Sequence, residues 1–454
     1  MSFEAFRAAF QADLLAVMPD HVARLGWSAP QIASHQRSGL RALLAHAVEH
    51  SPFHRRRLAG VDVERIEVAD LPTLPVMTKA EMMRDLGDVF TDRRLTPGLI
   101  ECALAATSAE PVVMLDRYVA LTSGGSSGER GVFVLDREAA VQFVAALTRA
   151  LMARLLAAGG PPPGGLRIAM IAAASAVHAT GTAPPLTAGE DMPFRFLPVP
   201  VTLPLTEIVE RLNAMQPMAL SGYPSMLARL AAERRAGRLR IAPQAITSTS
   251  ETLLPALRTA IANGFGVPVV DMFGSTEGLV GTSAPDDPVL TFNSDACIVE
   301  LVDEHDRPVT PGSRSPKVLV TNLSNRTQPL IRYEMTDAFV REPDAPGSGH
   351  LRATVEGRAD DMLRWGGIDV HPLVIRAVMV KAPEVVDYQV LQTRRGLDVV
   401  AMAPEALDVD RLQEHLARAL DAAGLACPEV RVRAVSALER HPETGKLRRF
   451  VPLA

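Results

Sequence analysis

The chain has 454 residues, 47% of them hydrophobic, 22% charged and 4% aromatic, and its formal net charge at pH 7 is -5. That length accommodates roughly two to four domains, and the charge balance gives no basic surplus for nucleic acid or an anionic membrane, so any phosphate site has to be local. Cys102, Cys297 and Cys427 are far apart and fit neither a disulfide framework nor a CxxC metal site, which makes a reducing cytoplasm the expected compartment.

The first residues, MSFEAFRAAFQADLL, carry Glu4 early and lack the basic start and apolar core of a signal peptide, so secretion is not expected. Residues 3–50 have helical periodicity in two pieces. The second is opened by Ser28 and Pro30 and turns Ile32, Leu40, Leu43, Leu44 and Val48 toward a core. The basic segment 51–60 reads as solvated surface. At 121–135 the chain reads LTSGGSSGERGVFVL: a loop of Thr122, Ser123, Gly124, Gly125, Ser126, Ser127 and Gly128, then a short strand, then a helical pattern from Arg137 to Ala158. Glycines let backbone amides converge on a polyphosphate, although a plain flexible turn has the same composition. It is not a Walker loop, because Glu129 and Arg130 stand where the lysine would be. The greasy run 139–158 is broken by Arg149 and Arg154, and no uncharged stretch approaches the ~20 residues of a membrane span. A soluble protein is expected.

From PPPGG at 161–165 the chain alternates strands at 166–173, 194–199, 218–221, 244–249 and 267–272 with helices at 204–215, 223–236 and 253–263, the last closed by Gly264. This predicts an α/β layered sheet whose ligands lie beyond the strand C-terminal ends. GYPSML at 222–227, TSTSET at 247–252 and FGSTEG at 273–278 fall at such ends. The stretch VPVVDMFGSTEG delivers Asp271, Phe273, Ser275, Thr276 and Glu277 to one sheet edge: an aromatic face, hydroxyl donors and a hard oxygen ligand, as a Mg-nucleotide requires. The plainer alternative is a strand ending in a polar turn. Short strands follow in CIVELVD, KVLVTNL, PLIRYEM and AFVRE. After GRADDMLRWGGIDVHP comes a helix, two strands, a helix and a strand to residue 436. The expected fold is a large layered α/β domain with a β-rich subdomain over 1–356 and a small mobile α+β domain over 357–454.

TSGGSSGERG at 122–131, FGSTEG at 273–278, IRYEMTD at 331–337, GRADDML at 357–363 with Gly366, Gly367 and Pro372, and PETGKLRR at 442–449 follow one another in order. Together they resemble the motif set of the adenylate-forming acyl-CoA synthetase superfamily, and most closely its phenylacetate-CoA ligase-like branch, of which 293–312 and 319–334 are also typical. The resemblance spans nearly the whole chain. It implies a two-step ligase: a carboxylate attacks the α-phosphate of ATP to give acyl-AMP and pyrophosphate, and CoA then displaces AMP.

The resemblance also implies roles. Residues 122–128 would wrap the phosphates, Thr276 would bond the α-phosphate and Glu277 would hold Mg. Phe273 would stack on adenine, Asp271 would accept from its amine, and Met272, Gly274 and Ser275 would line the same nucleotide site. Ser250 and Glu251 would form the opposite wall, Asp337 would accept the ribose hydroxyls, and Arg358 would reach ribose or phosphate. Lys446 would be the main catalytic side chain, bridging carboxylate and α-phosphate, and Asp360 the hinge. Gly366 and Gly367 would line the pantetheine tunnel, unless they only form a tight hairpin. Candidates for the acid pocket are Ala174, His178, Thr180, Tyr223, Pro224, Ser248 and Gly274. Expected partners are a small carboxylic acid, ATP, Mg and CoA, with no nucleic acid or membrane, and a homodimer is compatible. No zinc is expected, since TSAPDDPVLTFNSD after FGSTEG has no Cys or His. Two rivals stay open: transfer of the acyl group to an amine or carrier protein, and a non-catalytic nucleotide binder suggested by Glu129. The second would have no use for both Glu277 and Lys446.

Overall fold

A computed structural model describes residues 2–123, 131–173, 175–358, 363–370, 372–379, 381–382, 384–403, 407–440 and 445–453. Gly124, Gly125, Ser126, Ser127, Gly128, Glu129, Arg130, Ala174 and Asp360 lie outside the described residues, and only the backbone of Arg358 is described.

The chain opens with helices Phe3–Arg24 and Ala29–His50. The Ser2 hydroxyl accepts from the Ala5 N–H at 3.2 Å, and Gln31 reaches back to the Ser28 N–H at 3.0 Å, so both helix starts satisfy otherwise orphaned amides. The strands Tyr118–Thr122 and Val132–Asp136 form an antiparallel pair. Asp136 then caps helix Arg137–Ala157, accepting from the Ala139 N–H at 2.8 Å. That helix is long and apolar enough to cross a membrane, and here it packs into one core with Phe6, Phe10 and Leu14 of the first helix and Ile168, Phe194 and Ala219 of the sheet.

The central sheet has ten strands. Five are parallel, in the order Phe194–Pro200, Leu166–Ala172, Ala219–Gly222, Ala245–Thr249, Val269–Gly274. Antiparallel strands Val280–Thr282, Leu290–Phe292, Arg352–Arg358, Asp337–Arg341 and Arg314–Ser315 extend it. Helices Leu205–Met215, Pro224–Arg235 and Pro255–Phe265 connect parallel strands and cover one face, while Arg137–Ala157 covers the other. Burial on both faces explains the continuous apolar runs of these strands. A separate three-stranded sheet joins Cys297–Val302, Lys317–Asn322 and Tyr333–Met335.

Two sequence expectations need correction. The helix expected to stop at Gly264 runs to Phe265, and Gly266, at φ +72°, is its left-handed cap. Gly264 serves packing instead, since a Cβ there would sit 2.5 Å from the Ala231 Cβ of the adjacent helix. The strand expected over PLIRYEM is restricted to Tyr333–Met335, because the Leu330 O is used by the Asn322 N–H and Arg332 has φ +50°.

Beyond the large sheet, the hairpin Leu363–Trp365 and Ile368–Val370 and helix Pro372–Met379 lead into a four-stranded sheet ordered Glu429–Val435, Gly396–Met402, Asp387–Gln392, Phe450–Val451. Helix Val409–Ala422 buries Leu412, Leu416 and Leu420 against it. The last strand, absent from the sequence reading, pairs parallel with Asp387–Gln392, and buried Arg449 binds Asp387 at 2.9 Å beside it. The residues after Lys446 are thus tied into this second sheet. The expected division at 356/357 falls inside strand Arg352–Arg358, which stays paired with the large sheet through Arg358.

Candidate active site

The C-terminal ends of the parallel strands bring the sequence-predicted residues together on two faces. Ser248 stands beside Asp271 and Thr249 beside Met272 in the ladder. Alternation therefore directs Ser248, Asp271 and Phe273 to one face and Thr249, Met272 and Gly274 to the other. Burial pushes the Asp271 carboxyl up to about 6, an effect only partly opposed by the Arg258 guanidinium. Phe273 is fixed edge-on by Phe292 and Phe339, with centroids 5.7 and 5.4 Å away. That packing holds the ring beside the strand end without a ligand's help.

The strand ends in a tight turn. The Gly278 N–H donates to the Ser275 O at 3.1 Å and the Ser275 N–H to the Leu279 O at 3.0 Å. Gly278 has φ +99°, and a Cβ there would stand 2.1 Å from the Asn322 Nδ2, which donates to the Glu277 O at 2.8 Å. Only glycine admits both the backbone angle and that bond. Thr276 Oγ1 lies 3.5 Å from Glu277 Oε2, so the hydroxyl and the carboxylate share one corner. Buried Tyr333 lies near Glu277, and burial first, then this carboxylate, raises its pKa above the ordinary phenol value. Asp337, also buried, opens strand Asp337–Arg341 opposite Arg358. The Ser275 hydroxyl is buried and has no hydrogen-bond partner among the described residues, while Ser248 stands beside the Asp271 carboxylate. An orphaned donor beside an aromatic ring and a carboxylate fits a polar, ring-bearing ligand such as a nucleotide.

The base of the expected phosphate loop is pinned. Thr122 donates to the Val177 O through its N–H at 2.7 Å, and Ser123 exchanges bonds with Gly131 at 2.9 Å in both directions. These bonds join the loop's base to the segment containing His178, which starts helix Ala179–Leu186.

On the other face an open cavity lies between the sheet and helix Arg137–Ala157. Of the acid-pocket candidates, Thr180 and Gly274 line it, as do Ser250 and Met272. His178, Pro224, Tyr223 and Ser248 do not. Tyr223 is fully buried in the opposite core, where its hydroxyl accepts from the Ala173 N–H at 3.2 Å. Ser250, at φ +68°, is a non-glycine residue held in the left-handed region at the cavity rim.

Glu251 faces neither cavity nor solvent. Its side chain is 3% exposed. One oxygen accepts from the Ser225 hydroxyl; the other accepts from the Leu447 N–H at 2.7 Å and pairs with Arg440 at 3.4 Å. Arg440 also donates to the Gly445 O at 2.8 Å. Gly445, at φ +64°, approaches Val201 so closely that a Cβ would stand 2.1 Å from its Cγ1. Lys446 is thereby held between two residues docked on the large sheet. Gly366 and Gly367, at φ +52° and +92°, form a two-residue hairpin turn in open space, as an I′ turn requires.

Sequence reasoning missed Ser225, Asn322 and Arg440. Asn322 lies within a stretch already singled out at 319–334, but its role depends on a neighbouring sheet that periodicity does not place. Arg440 had no local signal apart from its closeness to PETGK.

No protein-family model matches the chain. It is 27% identical over 384 residues to the phenylacetate-coenzyme A ligase of Thermus thermophilus, covering 80% of this chain and 78% of that one. It is 24% identical over 406 residues to the Escherichia coli phenylacetate-coenzyme A ligase, covering 83% of each. Among solved structures, 2-hydroxyisobutyryl-CoA ligase in the postadenylation state matches with TM-score 0.70 at 17% identity, covering 94% of this chain and 91% of that one. The chain is a homologue of the phenylacetate-coenzyme A ligases and has the fold of the adenylate-forming acyl-CoA ligases.

Proposed function

We propose that the protein joins a carboxylic acid to CoA through an acyl-adenylate. The acid's carboxylate oxygen bonds to the α-phosphorus of ATP as pyrophosphate leaves. The CoA sulfur then bonds to the acyl carbon as AMP leaves, and the thiol proton is released. The observation that supports this reading is the docking of Gly445 and Leu447, the two neighbours of Lys446, against Val201 and Glu251 just beyond the C-terminal ends of strands Phe194–Pro200 and Ala245–Thr249.

The acid would occupy the cavity with its carboxylate toward Gly274, and the nucleotide the opposite face. There Phe273 meets the base, Asp271 accepts from its amine, and Asp337 accepts from the ribose. The Lys446 ammonium would neutralise charge gathering between carboxylate and α-phosphate, and Thr276 would donate to the same phosphate. Mg, when bound, would be held by Glu277 and would spread negative charge on the phosphates. Residues 357–454 would act as the mobile unit, turning about Asp360 so that the hairpin at Gly366 and Gly367 replaces Lys446 for thioester formation. The scattered cysteines Cys102, Cys297 and Cys427 fit a cytoplasmic enzyme, and the net charge of -5 offers no basic surplus for a nucleic-acid or membrane partner.

The test is release of AMP and pyrophosphate from ATP across aryl, alkyl and amino acids, with and without CoA. Acid-dependent pyrophosphate release that is followed by thioester only when CoA is present supports the reading. Nucleotide binding without release for any acid would overturn it.

A further inference from the structure

The cavity beneath the sheet contains a charge that no described side chain balances. From helix Arg137–Ala157 it is lined on one stripe by Phe143, Leu147, Ala150, Leu151 and Arg154, four of them apolar. The two arginines that interrupt this helix have opposite surroundings. Arg149 is fully buried and grips both oxygens of Asp295, each at 2.7 Å. Arg154 is half-buried and its guanidinium makes no hydrogen bond or ion pair with any described residue. Burial lowers its pKa from the ordinary arginine value, and no charged neighbour adds to or opposes that effect. A partly desolvated cation without a counter-charge is destabilising, and in a ligand cavity an anionic ligand group offsets it.

Its position in the cavity is defined by the fold. Leu147 Cδ2 lies 3.2 Å from where a Gly274 Cβ would stand, at the strand C-terminal ends. Arg154 is two helical turns farther along, ~10 Å down the axis. The link 158–165 carries the chain to the start of Leu166–Ala172, so the helix descends toward the strand N-terminal ends and Arg154 stands at the far end from Gly274. Ser221 and Thr247, paired in the ladder midway along the sheet, also line the cavity, and their hydroxyls bond no described side chain.

We propose that the acid taken by this site carries a second anionic group at its far end, in the simplest case another carboxylate beyond an apolar spacer, and that Arg154 binds it with the Ser221 and Thr247 hydroxyls. Which end of the acid reacts is taken from the adenylation reading above.

The test compares matched pairs: phenylacetate with 4-carboxyphenylacetate, and octanoate with octanedioate. In pyrophosphate release, kcat/KM for the dianionic member should exceed that of its partner by roughly 10- to 100-fold, the worth of a charge-assisted hydrogen bond. Arg154→Met should bring that ratio to about 1 or below, and Arg154→Lys should retain part of it. A wild-type ratio at or below 1 in both pairs, or a ratio unmoved by Arg154→Met, would overturn the inference. If no acid supports pyrophosphate release, the adenylation reading fails by itself, and calorimetric binding of the same pairs decides this one. Tighter binding of the dianion that Arg154→Met abolishes upholds it; equal binding of both members rejects it.

Discussion

The turn at Ser275–Gly278 and the segment Gly445–Leu447, the two parts proposed to serve one site, are held in different ways. The turn is built into the large sheet: its strand lies between two paired neighbours, its amides bond within it, and Asn322 clamps the Glu277 carbonyl from an adjoining sheet. The segment reaches across from the second sheet and is held through Glu251, Arg440 and the close approach of Gly445 to Val201. Breaking those contacts leaves both sheets intact. A fixed cradle and a detachable arm are what one site needs to run two successive reactions.

The largest expected effect comes from removing the group the arm delivers. Lys446→Ala should lower acid-dependent pyrophosphate release by at least 10²- to 10³-fold, the cost of losing a preorganised transition-state charge, while thioester formation from supplied acyl-AMP and CoA persists. Stopped-assay measurement of the two half-reactions checks this. Equal losses in both would mean that Lys446 belongs to the cradle rather than to the arm.

The reverse experiment breaks the cradle. Gly278→Ala forces a side chain into φ +99° and against Asn322, so unfolding stability should drop by about 2–4 kcal/mol and both half-reactions should fall together. Thermal denaturation with parallel half-reaction assays measures it. A smaller effect should follow from Glu251→Gln, which keeps the shape of the latch but weakens its charge-assisted bonds to Arg440. Adenylation should slow by about 10-fold with the thioester step unchanged, since the proposed turn of residues 357–454 would release this contact before the second step. An equal loss in the second step would show that Glu251 works in the cradle.

The cradle was far more legible in the sequence than the arm. The apolar runs at 194–199, 218–221, 244–249 and 267–272 hold parallel strands of the sheet, buried throughout only in Ala219–Gly222, and the abrupt polar ending after Phe273 marked where the last one stops. Glycine at 278 closes that polar turn for a local reason, its backbone angle of φ +99°. Glu251 was placed at the right strand end, but its partners Ser225, Arg440 and Leu447 are distant in sequence and meet through packing of two sheets. Gly264 misled for a similar reason: it was read as a helix stop, and it is glycine because Ala231 of another helix lies against it. Arg154 was noted only as a break in a greasy run. That it faces a cavity while Arg149 faces Asp295 depends on tertiary neighbours that periodicity does not report.

The smallest effect concerns Asp271, a cradle residue whose burial brings its titration toward neutrality. Burial raises its pKa to about 6, so in the free protein the carboxyl is protonated below that pH and ionised above it. An adenine amine is a donor and prefers the ionised acceptor. Calorimetric affinity for AMP should therefore rise as pH climbs from 5 to 7 and level off above, by at most tenfold per pH unit, since one proton is involved. Asp271→Asn keeps an acceptor oxygen at every pH and should remove the step. Stability carries the opposite sign: a raised carboxyl pKa means the folded protein holds the proton more tightly than the unfolded chain. Rising pH between about 4 and 6 therefore destabilises the wild type relative to Asp271→Asn. A pH step in AMP affinity that survives the substitution would assign the titration to another group and leave Asp271 as a packing residue of the strand.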